Sequence, residues 1–121
     1  MVAASALHRF IGLELAHWEP GRVHFRLNPP AAVQSGAGGI VHGGALMTAL
    51  DVAACFAVMA VTGHDCSTVD LRADFVRPAT GGELAVTGQV LKVGRRFGRA
   101  DASITDGEGR MVALARGTFA W

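Results

Sequence analysis

Thr48, Asp51 and Cys55 stand at i, i+3 and i+7 inside an otherwise apolar run, so on a helix they share one face. An aspartate in such a run is predicted to be buried. Desolvating a carboxylate costs on the order of several kcal/mol, so it needs a partner or a task. Asp51 is therefore the first candidate for chemistry; the competing reading is a buried ion pair with an arginine. Upstream, Gly39-Ile40-Val41-His42-Gly43-Gly44 delivers two glycines to the predicted helix start. The N–H groups of a first helical turn have no partner within the helix, and glycine lets a ligand oxygen approach them closely. That is the geometry of a carbonyl or oxyanion site. The plainer reading makes Gly43 and Gly44 a simple cap and His42 a packed, hydrogen-bonded side chain.

A second cluster, Lys92, Arg95, Arg96 and Arg99, surrounds Gly94. It reads either as a solvated basic hairpin or as a holder of a phosphorylated ligand through charge-assisted hydrogen bonds. No strand precedes the earlier glycine cluster in the pattern of a nucleotide phosphate loop. Ten of the eleven basic residues are arginine, and the net charge of +1 speaks against a general nucleic-acid binder. Cys55 and Cys66 have neither the number for a disulfide framework nor the spacing of a metal site. His8, His17, His24 and His64 receive no chemistry.

The elements that must position these groups follow from pattern. The 121 residues are read as a single domain, 1–121. A short helix over 3–10 with Ser5 as cap precedes a strand over 11–17, the turn Glu19-Pro20-Gly21, and an alternating strand over 22–27. A Gly- and Ala-rich loop over 31–42 leads to the helix over 43–61, closed by Gly63-His64-Asp65. Four strands follow. Thr68 to Arg77 alternates, with Val69, Leu71, Ala73 and Phe75 on one face and Asp70, Arg72 and Asp74 on the other. Glu83–Val93, Phe97–Thr105 and Arg110–Ala120 are joined by Gly94-Arg95-Arg96 and by Asp106-Gly107-Glu108-Gly109. This order predicts an α+β fold, an antiparallel sheet of five to six strands around one long helix. Leu46, Leu50, Ala53 and Ala57 should face the sheet. The helix is apolar nearly all round, so a second subunit is expected to cover part of it. Asp51 and Thr48 favour a core helix over a membrane span, and residues 1–10 lack a signal-peptide pattern. A soluble cytoplasmic protein is expected.

These residues resemble a family. Gly39 to Gly44 with Asp51 nine residues after His42, Thr68-Val69-Asp70-Leu71, Phe75-Val76-Arg77-Pro78 and Lys92-Val93-Gly94-Arg95-Arg96 look like a hotdog-fold acyl-CoA thioesterase of the PaaI-like, phenylacetate-pathway group. The likeness runs from about Phe10 to Phe119. It implies a dimer with a continuous sheet, often doubled to a tetramer. It implies that the Gly43 N–H polarises the thioester carbonyl and that Asp51 of the partner subunit is nucleophile or base. Thr68 would position the water, His42 and Gly44 would border the substrate, and Phe75 with Lys92, Gly94, Arg95, Arg96 and Phe97 would contact coenzyme A. Coenzyme A enters as part of the substrate; no other cofactor and no metal is implied. One position departs: the family carries Asn six residues before the motif histidine, and here that residue is Gly36, with Gln34 and Ser35 close by. That departure motivates a second reading, a non-catalytic acyl-CoA binding or regulatory protein. Phe56 stands where related dehydratases place a histidine, which argues against hydration chemistry.

Overall fold

Turn chemistry and alternation set the elements of the computed structural model, which describes residues 5–35 and 38–121. Ser5 caps helix α1 (Ala6–Ile11), its hydroxyl oxygen accepting from the His8 N–H at 3.2 Å. Strands β1 (Leu13–Glu19) and β2 (Arg22–Leu27), a 3-10 turn at Ala31–Val33 and the long helix α2 (Gly43–Thr62) follow. Strands β3 (Ser67–Phe75), β4 (Leu84–Val93), β5 (Phe97–Thr105) and β6 (Met111–Ala120) complete the chain. The strand expected over 11–17 starts later because Ile11 still belongs to α1 and Gly12, at φ +81°, makes its left-handed cap.

The six strands form one sheet, all neighbours antiparallel, in the order β1-β2-β4-β5-β6-β3. The sheet wraps α2, which is the hotdog architecture. Leu46, Leu50, Ala53 and Ala57 are buried against the sheet, as their spacing predicts. Each fully buried large apolar side chain, Leu50 and Val58 among them, stabilises the fold by about 1.5–3 kcal/mol. Small residues bring helix and sheet close together. A Cβ on Gly88 of β4 would collide with the Ala53 carbonyl oxygen, so only glycine fits there. By length and composition α2 could cross a membrane, yet nine of its residues are buried, and it is the core helix of this fold.

The expected alternation of β3 fails at one point. Thr68 pairs with Phe119, Asp70 with Thr118 and Leu71 with Gly117, so Val69 is an extra residue in a β-bulge. Phe119 and Gly117 lie on the same face of β6, and Phe119 is fully buried. The bulge therefore turns Thr68 and Leu71 to the same, helix-facing side. Strict alternation would have sent Thr68 outward with Asp70. Val69 does not join Leu71 and Ala73 in the core but is exposed.

Candidate active site

The bulge brings Thr68 to Asp51. The Thr68 hydroxyl donates to Asp51 Oδ1 at 2.7 Å, and the second carboxylate oxygen has no protein partner among the described residues. One expectation is corrected here and one competing reading falls. Asp51 is half-buried rather than enclosed, because β3 is an edge strand and leaves one side of the helix open. Its partner is a hydroxyl, and no arginine among the described residues pairs with it, so the ion-pair reading fails.

The other polar residues of the stripe are occupied elsewhere. Thr48 donates back to the Gly44 carbonyl at 2.9 Å, the local bond that hydroxyls make inside helices. Cys55 Sγ lies 3.9 Å from Met59 Sδ and 3.8 Å from the Cys66 carbonyl oxygen. Burial first, then the neighbouring Cys66 and Asp51, push the Cys55 thiol up to about 12. It is a thiol at neutral pH, not a nucleophile. Asp51 alone of this stripe is available for chemistry.

At the start of α2, His42 is the cap residue with extended backbone, and its side chain makes no capping hydrogen bond. It is exposed rather than packed, its Nδ1 close to Gly44. The first helical N–H groups to find acceptors are those of Ala45 and Leu46, both on the His42 carbonyl, at 3.0 and 3.3 Å. The Gly43 and Gly44 N–H groups remain unpaired among the described residues. Neither glycine has a positive φ. A Cβ on Gly43 would meet only the Phe75 ring, at an ordinary 3.7 Å, and one on Gly44 only His42 Nδ1, at 3.9 Å. Among the described residues nothing requires glycine at either position, and the missing side chains leave both donors open to approach. Phe75 against Gly43 makes this donor end half apolar.

Gly43 and Asp51 are eight residues apart on one straight helix, about 12 Å of rise. They cannot converge on one carbonyl within a single chain. Lys92, Gly94, Arg95, Arg96 and Phe97 form a third group, at the opposite end of α2. They lie beside the turn between β4 and β5, where a Cβ on Gly98 would press on Val58. Lys92 pairs directly with Arg99, a like-charge juxtaposition that the fold itself does not relieve. Gly36 lies outside the described residues. The Gln34 side-chain amide donates to the Pro29 carbonyl at 3.1 Å and braces the loop.

Comparison with known proteins places this arrangement. The profile of the thioesterase superfamily matches residues 38–113, from the glycine turn to β6. The chain belongs to the thioesterase superfamily, and its reaction class is thioester hydrolysis. Within it the resemblance is to PaaI-like proteins. The PaaI protein of the Escherichia coli phenylacetic acid degradation operon superposes with a TM-score of 0.85 at 26% identity, covering 96% of this chain and 88% of its own. A thioesterase family protein of Silicibacter pomeroyi gives 0.90 at 26% identity, over 98% and 90%. The medium/long-chain acyl-CoA thioesterase YigI of Escherichia coli is 30% identical over 129 residues, 93% of this chain and 83% of YigI.

Proposed function

We propose that the chain hydrolyses acyl-CoA thioesters at a site completed by two protomers, in the cytoplasm. The observation that carries this is the division of labour along α2. An oriented carboxylate, Asp51 on Thr68, and an unpaired N–H donor, Gly43, lie too far apart on one helix to serve the same carbonyl. An isologous dimer with the two α2 helices antiparallel brings Gly43 of one protomer to Asp51 of the other. The open edge of β3, with Val69 and Phe75 exposed on it, is the surface for that pairing, and a dimer of dimers remains compatible with it.

In the proposed step the thioester carbonyl oxygen accepts from the Gly43 N–H, which stabilises the negative charge that grows there. Asp51 either removes a proton from water, whose oxygen attacks the carbonyl carbon, or attacks that carbon itself to give an anhydride that water then opens. The Thr68 hydroxyl fixes the carboxylate orientation. In both routes the C–S bond breaks, and coenzyme A leaves as thiolate and takes up a proton. Lys92, Arg95 and Arg96 stand ready for its phosphates, and Phe75 lines the approach to Gly43. Coenzyme A enters only as part of the substrate. The similarity to YigI supports acyl-CoA as the substrate class.

A panel of acyl-CoA thioesters followed by thiol release tests the proposal. Turnover of at least one thioester, abolished in folded Asp51→Asn protein, is the expected result. Absence of hydrolysis across the panel, or wild-type turnover by Asp51→Asn, would overturn it.

A further inference from the structure

The end of α2 farthest from Gly43 carries two rings that the hydrolytic step leaves unused. His64 follows Gly63, the left-handed cap of α2. Its ring lies nearly parallel to the Trp121 indole, at 11° with centroids 5.9 Å apart. The Trp121 backbone N–H donates to the Arg96 carbonyl at 3.1 Å, which fixes the indole beside the turn between β4 and β5. The ring also reaches Gly98 of β5, where a Cβ would lie 3.4 Å from Trp121 Cζ3 and closer still to Val58.

Trp121 packs in part against the core while His64 is exposed, so the core holds the indole and much of the paired ring surface stays in water. Arg95 and Arg96, in the turn tied to Trp121, are exposed and form no ion pair among the described residues. A flat aromatic face beside unneutralised guanidinium groups matches the chemistry of a nucleotide, a base with a π-face linked to phosphates. From Asp51 to the end of α2 at Thr62 is about 16 Å of helix rise. A ligand reacting at Asp51 and stacking at His64 must carry an extended arm between its reactive group and its base. Coenzyme A has that form, with pantetheine and diphosphate between thiol and adenine.

We propose that His64 and Trp121 form the platform on which the adenine of coenzyme A stacks, with Arg95 and Arg96 on its phosphates. This rests on the acyl-CoA reading above. The test compares KM for an accepted acyl-CoA with KM for the same acyl group on pantetheine, which lacks the nucleotide. His64→Ala should reduce the advantage of acyl-CoA over acyl-pantetheine about tenfold, through KM and not kcat, and His64→Phe should restore it. An advantage unchanged in His64→Ala would overturn the platform. A second readout does not depend on turnover. In Trp18→Phe protein, where Trp121 is the remaining tryptophan, adenosine 3′,5′-bisphosphate should quench its fluorescence saturably, and less tightly with His64→Ala added. Quenching without any thioester hydrolysis would uphold the platform and sink the hydrolytic reading. Hydrolysis of acyl-CoA without quenching would do the reverse.

Discussion

The sheet has two free edges, and they are built differently. The β1 edge carries Glu14, His17 and Glu19, is bent by a bulge between Leu15 and His17, and is packed by α1. The β3 edge is longer and is not packed by α1. It too carries charges, Asp70, Arg72 and Asp74, and a bulge at Val69, but Val69, Phe75 and Val76 each expose more than half of their surface. Charges and a bend are common to both edges, so the difference lies in the α1 cover, which discourages pairing at β1, and in the longer uncovered apolar stretch, which invites it at β3. The unprotected edge is also the one that holds Thr68 and Phe75. In the proposed dimer the pairing surface and the proposed site therefore coincide.

The largest effect should come from the reactive group itself. Asp51→Asn keeps the shape but cannot take a proton or attack, so kcat should fall about 10²- to 10⁴-fold with the melting temperature held. The edge comparison is broken next. In the proposed dimer Val69→Lys puts a cation from each protomer into the β3 interface and should give monomers in sedimentation with at least about tenfold less activity, because like charges across an interface cost on the order of several kcal/mol. Trp18→Lys on the β1 edge should change neither mass nor rate. Were both variants to behave alike, the distinction between the edges would be wrong. Thr68→Val removes the hydroxyl from Asp51 and should lower kcat by about tenfold, with a smaller change in KM.

The smallest effect concerns α1, which packs over the β1 edge. His8 Nδ1 is buried without a partner, its ring lies edge-on to Phe56, and burial holds its pKa below 6.5. The unfolded chain therefore binds more protons below that value. The His8 contribution to stability is intact above pH 6.5 and is lost as pH falls below it. His24, lowered by burial and then by Arg22, acts in the same direction. The melting temperature should drop slightly between pH 7 and pH 5, and less so in His8→Phe.

Local features of this molecule were legible because each carries its own signal. The 3.6-residue period identified the buried face of α2, Ser5 announced the cap of α1, and Asp106-Gly107-Glu108-Gly109 marked a hairpin that the structure contains. The bulge at Val69 has no compositional signature, so strict alternation would put Thr68 on the wrong face; the resemblance implied that Thr68 positions the water, and its bond to Asp51 is seen only in the structure. Burial of Asp51 was overestimated because hydrophobic pattern cannot say which strand becomes an edge. β3 pairs with β6, the last strand, and not with its neighbour in sequence. For the same reason the stacking of His64 on Trp121, which joins a helix cap to the end of β6, left no trace in spacing or period.

The central claim, that each site draws Gly43 and Asp51 from different protomers, is tested most directly by complementation. Gly43→Pro removes the proposed N–H donor at the first helical position, where proline is well tolerated, and His42 already has the extended backbone that precedes proline. Gly43→Pro and Asp51→Asn homodimers should each be nearly inactive. Unfolded and refolded together in equal amounts, they form hybrids with one intact site and one doubly broken site. About a quarter of the wild-type rate per chain should then return, as random pairing in an isologous dimer requires. A mixture as inactive as its components, with hybrid dimers demonstrated by mass, would contradict the shared site.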